Sequence, residues 1–306
     1  MEAAIDNGAV SDARNSLGEL LSENPDLLVL AAPTFAVLED LTQNSFAGLT
    51  IDVCGVKGPV IAAAARGWPH FVGTHPMAGR EISGPAAASS GLFRGAAWVV
   101  VTDGAEDEDL AAVDEFVATF GARPVMMTAA EHDASVAAVS HLPQLLAGAL
   151  VEMVVNDEGA RRLASGSFRD LTRVAASDPI PWVDVLLANG AEVLARLDEL
   201  DRRLQEVAAA IRDGEHEMLG DLLETARDHR RELAPTIVPV RVALADQPGE
   251  LARVGHALEA SAVDIRDLQL RHAPHGGGGV LTLSVRPGES EALREALSTE
   301  GLLLAE

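Results

Sequence analysis

The residues best able to do chemistry lie in one short string, Gly73-Thr-His-Pro-Met-Ala-Gly79, which runs on through Arg80 and Glu81 to Ser83 and Gly84. A histidine at the end of an apolar run, followed by proline and small residues, has an open ring and a backbone close to any ligand. Imidazole changes protonation near neutrality, so His75 is suited to take a proton from an alcohol. Upstream, Asp52-Val-Cys-Gly-Val-Lys57 sets a carboxylate five residues from the chain's one lysine, every other basic side chain being arginine. Lys57 reads equally well as a ligand contact and as a structural bridge. Arg169 and Arg173 stand one helical turn apart, and a planar guanidinium is a better two-pronged donor to a carboxylate than lysine. Surface pairing with Asp170 or Asp178 is the other reading of these arginines. His132 and His141 read as satisfied structural histidines, and Cys54 as a small buried side chain rather than a reactive thiol. No metal site is expected.

These residues need elements to hold them. Of 306 residues, 48% are apolar and 23% charged, which excludes fibrous and disordered classes. No unbroken apolar stretch is long enough to cross a bilayer, so no membrane association is expected. The single cysteine fits a reducing cytoplasm, and a net charge of −24 argues against nucleic acid as a partner. That charge also means an anionic substrate needs a local cluster of donors. Apolar runs at 27–32, 49–53, 71–74 and 97–102 predict buried strands, with helices between them, including 106–120, and hence a doubly wound parallel sheet over residues 1–125. Ligands in such sheets bind beyond the carboxyl ends of the strands. Ala32, Pro33, Thr34 and Asp52 stand there as candidate cofactor contacts. No G-x-G-x-x-G turn occurs in the chain, and the expectation is that the first strand and its glycine turn lie upstream of Met1. Binding of a dinucleotide by the chain as given is then expected to be weak.

Residues 126–235 change to helical periodicity. Val193, Leu197, Leu200, Leu204, Val207 and Ile211 form a heptad-like seam on one long helix, with Asp178-Pro179 as its predicted start. The seam suits either a bundle core or a two-fold dimer interface. Residues 236–306 read strand, helix, strand, strand, helix, strand, the ferredoxin-like order. Within them, Asp246, Pro248 and Gly249 make a turn into a helix N-terminus that suits a small carboxylate-bearing ligand.

The histidine string resembles the prephenate dehydrogenase family, which includes arogenate enzymes. Further segments are similar in the same order: Asp52 to Lys57, Leu92-Phe93, Glu131-His132-Asp133, Ser140-His141-Leu-Pro143, and Phe168 through Arg173 to Ser177-Asp-Pro179 and Trp182. The tail resembles an ACT domain, with Asp246-Gln-Pro-Gly-Glu-Leu251 matching its D-x-P-G-x-L turn. The resemblance implies oxidative decarboxylation of prephenate or arogenate with NAD or NADP. It further implies His75 as proton acceptor, with Arg173, Arg169, Ser83 and Gly84 on the substrate. A homodimer and tyrosine as an inhibitor follow from the same likeness. Two departures stand out: Gly55 replaces a serine that the family sets beside its histidine, and Gln144 takes a position where histidine is common. A cofactor-poor, non-catalytic chain that senses an amino acid through the ACT domain is the alternative.

Overall fold

The computed structural model describes residues 10–79, 88–233, 237–272 and 278–305. It divides into two compact units, Met1–Leu204 and Gln205–Glu306.

In the first unit a one-turn helix α1 (Leu17–Leu21) leads to three parallel strands, β1 (Leu27–Leu30), β2 (Leu49–Asp52) and β3 (Phe71–Val72), in that spatial order. Helices α2 (Thr34–Gln43) and α3 (Gly58–Ala64) alternate with them, and Val37, Leu41, Val60 and Ala64 pack into a core with Leu28, Leu30 and Trp68. Burying such side chains stabilises the layer by about 1.5–3 kcal/mol each. After Gly73 the chain continues as β4 (Thr74–Pro76), beside β5 (Ala97–Val101), helix α4 (Asp107–Thr119) and β6 (Arg123–Met127). Strands β5 and β6 are parallel to each other, but β4 and β5 are antiparallel. The strands therefore form two three-stranded sheets, β1–β2–β3 wholly parallel and β4–β5–β6 mixed, not one parallel sheet as expected. A parallel β4–β5 pair needs a crossover back along the sheet, usually a helix, whereas an antiparallel pair needs only a loop. Gly73, between β3 and β4, is set by space: a Cβ there would lie 2.9 Å from Ile61 Cδ1.

One buried ion pair joins these strand ends. Asp52 and Lys57 are both fully buried. Asp52 accepts from the Lys57 ammonium, from the Cys54 N–H at 2.9 Å and from the Thr74 N–H at 3.0 Å, while Lys57 also donates to the Thr74 carbonyl at 2.6 Å.

Helix α5 (Ala129–Val136) opens with a capping box between Thr128 and Glu131, passes through a π turn (Ala137–His141), and continues as α6 (Leu142–Val154). By length and hydropathy alone, Ala129–Val154 is able to cross a membrane, although charged residues break its apolar run. It carries Glu131, His132, Asp133 and His141, which the bilayer interior disfavours. Short helices α7 (Glu158–Leu163) and α8 (Gly166–Thr172) and a 3₁₀ turn (Arg173–Ala176) follow. The predicted single helix from Pro179 is two helices, α9 (Pro179–Ala188) and α10 (Gly190–Asp213), separated at the buried Asn189. The break exists because the Asn189 side chain bonds to the Asp133 carbonyl at 2.9 Å, an anchor that apolar periodicity does not show. The boundary between the two units falls inside α10.

The second unit contains α11 (His216–Leu233) and a four-stranded antiparallel sheet: β7 (Val238–Leu244), α12 (Glu250–Ser261), β8 (Asp267–His272), β9 (Gly279–Val285), α13 (Ser290–Thr299) and β10 (Leu303–Ala305). The spatial order β10–β7–β9–β8 has both helices sharing a core with Val240, Val242, Leu281 and Leu283, the ferredoxin-like βαββαβ arrangement. Gly278 has φ +107°, and a Cβ there would lie 2.1 Å from the Leu244 carbonyl oxygen, so no other residue fits unchanged.

Lys57→Met should destabilise the protein by about 3–5 kcal/mol, because it leaves the Asp52 carboxylate buried and unpaired. The double variant Asp52→Asn with Lys57→Met should recover part of that loss. Guanidinium unfolding midpoints of the three proteins check both expectations.

Candidate active site

Strand β4 delivers His75, paired with Val99 of β5, to the end of the sheet that faces the helices. Its ring Nδ1 lies 2.8 Å from Nε2 of His132, and His132 Nδ1 lies 2.7 Å from Asp133 Oδ1. The Asp133 carboxylate also accepts the backbone N–H groups of Lys57 at 2.8 Å and Gly58 at 2.7 Å. Those amides only donate, so with Asp133 ionised the His132 Nδ1 carries a proton toward it. With the His132 ring neutral, its Nε2 accepts from His75 Nδ1–H, and the His75 lone pair is left on Nε2.

His75 lines a cavity of about 320 Å³ together with Gly55, the 76–79 turn, Ser140, His141, Pro181, Trp182 and Val185. Its size suits a small ring-bearing ligand. A Cβ at Gly55 would make ordinary contacts, 3.4 Å to Val185 and 3.9 Å to His75 Cε1, so there is room for the serine of the family pattern. His141 stands edge-on to Trp182, with ring centroids 6.3 Å apart.

Burial keeps His75 and His141 uncharged. His75 is pushed down to about 3, by burial first and then by the Lys57 charge, and burial pushes His141 down to about 4. Burial alone would raise Asp133, but the bonds from His132, Gly58 and Lys57 outweigh it and hold the carboxyl below its ordinary range. Burial, followed by the neighbouring Asp52 charge, raises the Cys54 thiol to about 12, so it is no nucleophile.

The other expected residues fall unevenly. Ala32 and Pro33 are exposed just beyond β1, and Thr34 is buried at the start of α2. Asp52 is shut away in its ion pair and not offered to a ligand. Ser83 and Gly84 lie outside the described residues. Arg169 and Arg173 are both exposed, and neither lines the cavity. The one-turn argument for a shared face fails because α8 ends at Thr172 and Arg173 begins a 3₁₀ turn. That turn is tied to α6 by Gln144 Nε2, which donates to the Val174 carbonyl at 3.1 Å. In the second unit Asp246, Pro248 and Gly249 line a separate cavity of about 380 Å³ with Leu244, Leu251 and Leu270.

His132, Asp133, His141 and Asn189 are the residues that sequence reasoning undervalued. In an uninterrupted α-helix the step of nine positions from His132 to His141 makes about two and a half turns, which sets them on opposite faces. The π turn uses an extra residue and brings both to one side.

An α/β sheet that presents an uncharged, hydrogen-bonded imidazole to a largely apolar cavity fits a nicotinamide-dependent dehydrogenase, and the comparisons with known proteins place it in that class. The nucleotide-binding domain of prephenate dehydrogenase matches residues 1–126, and the dimerisation domain of that enzyme matches residues 128–225. The chain is 30% identical to the prephenate dehydrogenase of Bacillus subtilis, over 96% of this chain and 84% of that one. Among solved structures it resembles prephenate dehydrogenase from A. aeolicus in complex with hydroxyphenyl propionate and NAD+ (TM-score 0.68, 26% identity, 76% of this chain and 85% of that one). It also resembles Synechocystis arogenate dehydrogenase (TM-score 0.65, 26% identity, 76% and 87%). The chain belongs to the prephenate dehydrogenase family and is an oxidoreductase that uses NAD or NADP.

The described sheet fits that cofactor at one edge. Ala32 and Pro33 lie open beyond β1, and the first turn of α2 has no side-chain cap, which leaves its backbone N–H groups to an oxygen-rich ligand.

The low pKa of His75 makes stability depend on pH. The unfolded chain binds a proton near pH 6.5 and the folded chain does not until about 3. The contribution is therefore complete above pH 6.5 and is lost as pH falls. Between pH 7 and pH 5 His75 alone should cost about 2 kcal/mol. Unfolding curves of wild type and His75→Asn at the two pH values should differ by that amount.

Proposed function

We infer that the chain oxidises prephenate or arogenate, with loss of the ring carboxylate as carbon dioxide, in tyrosine biosynthesis. The chain Asp133–His132–His75 carries this reading, because it leaves His75 Nε2 as an acceptor facing the cavity. There Nε2 accepts a hydrogen bond from the ring hydroxyl and takes its proton as the adjacent carbon loses hydride. NAD or NADP, when bound, would supply the hydride acceptor and would be held by Ala32 and Pro33 beyond β1 and by Thr34 at the start of α2. Positive charge that builds on His75 is offset through His132 by the Asp133 carboxylate, as in a catalytic triad. The apolar wall of Pro181, Trp182 and Val185 suits the ring and excludes water. Arg173, on the turn that Gln144 ties to α6, is assigned to a substrate carboxylate, with Arg169 as an added charge; Ser83 and Gly84, outside the described residues, are assigned to the substrate as well.

Residues 1–125 hold the cofactor, 126–235 complete the substrate site and pair two chains, and 236–306 are regulatory. Pairing is supported by the match to a dimerisation domain and by exposed apolar side chains on α9 and α10, where Leu187, Leu194 and Ile211 are 68%, 61% and 63% exposed. The ferredoxin-like unit is read as an ACT domain. The cavity at Asp246 to Gly249 takes an amino acid, tyrosine first and phenylalanine second, with its carboxylate at the start of α12. The enzyme is assigned to the cytoplasm.

His75→Asn should lower kcat by about 10²- to 10⁴-fold and leave KM for substrate nearly unchanged, as measured by NADH or NADPH formation. Truncation after Ala234 should abolish inhibition by tyrosine and preserve turnover. Equal sensitivity of the truncated enzyme would move tyrosine to the active site.

A further inference from the structure

We propose that His141 is a second substrate-contacting histidine, a hydrogen-bond donor to a carboxylate oxygen of the substrate, held in that form by Asn189. The inference rests on the dehydrogenase reading of the cavity. A backbone carbonyl only accepts, so the amide group that Asn189 turns toward the Asp133 carbonyl, 2.9 Å away, is its NH₂. The same nitrogen lies 3.2 Å from His141 Nδ1. An NH₂ group only donates, so His141 Nδ1 accepts and the ring proton of the neutral imidazole sits on Nε2. Among the described residues that Nε2–H has no hydrogen-bond partner, although His141 is 98% buried in the cavity wall.

Asp133 thus sets two histidines in opposite forms. Its side chain, through His132, leaves His75 with a lone pair, and its main-chain carbonyl, through Asn189, leaves His141 with an N–H. One cavity therefore presents an acceptor for a hydroxyl and a donor for an oxygen anion. A hydroxy acid matches that pair. The described residues that line the cavity include no lysine or arginine, so directed neutral donors there do the work of a charge.

Long-range proton–nitrogen spectra of histidine-labelled wild type, at neutral pH, report which ring nitrogen carries each proton. They should show His141 protonated on Nε2 and His75 on Nδ1, with the His141 Nε2 signal shifting on addition of 3-(4-hydroxyphenyl)propanoate. His141→Leu should raise KM for prephenate or arogenate about 10- to 100-fold, as expected for loss of a hydrogen bond to a charged group, with kcat changed only a few-fold. His141→Gln, which keeps a donor near the Nε2 position, should restore most of the affinity. Asn189→Ala should loosen the preference for Nε2 in the spectra. A proton on His141 Nδ1, an Nε2 signal unmoved by the ligand, or equal KM values for the leucine and glutamine variants would overturn the assignment. The spectra are read without turnover. A wild-type chain inactive toward both substrates would remove the dehydrogenase reading, while the nitrogen signals still decide on His141.

Discussion

The Asp52 carboxylate sits out of reach of water against the Lys57 ammonium, and that arrangement fixes where everything in the first unit stands. Burying two charges costs several kcal/mol per ion, which is recovered only when the geometry is close and the remaining hydrogen-bonding capacity is filled. Here Asp52 also takes the amides of Cys54 and Thr74, and Lys57 also takes the Thr74 carbonyl. The pair therefore joins the ends of β2 and β4 to the start of α3. With Thr74 held, the next residue, His75, has little freedom of position. With Lys57 held, the amides of Lys57 and Gly58 at the start of α3 point at Asp133, 76 and 75 residues away in sequence and the true cap of that helix.

Asp133 is the second pivot, because the chemistry of the cavity follows from which of its groups accept. Carboxylate and carbonyl oxygens are unambiguous acceptors, so each imposes a direction on the polar group beyond it. Two short chains of hydrogen bonds start there and end on His75 and His141. The π turn between α5 and α6 makes this possible by bringing His132 and His141 to the same side of one helical run. A regular helix through the same residues would leave one of the two histidines facing away from the sheet.

How far the site can be read from sequence follows from what each residue depends on. His75 is legible because a histidine after a buried strand and before proline is a local signature. Lys57 is legible as unusual, but only the fold shows that it bridges inward rather than touching a ligand. Strand β6 was missed because Arg123, Pro124 and the exposed Met126 break any apolar alternation. The break at Asn189 was missed because its cause, the Asp133 carbonyl, lies 56 residues away. Arg169 and Arg173 were placed on one face by an α-helical period that the chain abandons at Thr172. The order of the second unit was legible almost throughout, since its strands and helices alternate cleanly and its turns carry glycine and proline.

The remaining tension is between charge and basicity. A strongly acidic chain that handles an anionic ring would gain affinity from protonated histidines, yet a protonated His75 has no lone pair for the hydroxyl. Burial resolves the conflict in favour of basicity, holding both His75 and His141 neutral well below physiological pH. On the proposed reading, affinity for the anion comes from oriented N–H groups inside the cavity and from arginine outside it. Oriented donors keep their strength in a low-dielectric wall and, unlike a mobile surface charge, select for the position of an oxygen rather than for net charge alone. On the same reading, the proton on the substrate hydroxyl has one productive destination, the Nε2 of His75, whose opposite nitrogen is already committed to His132.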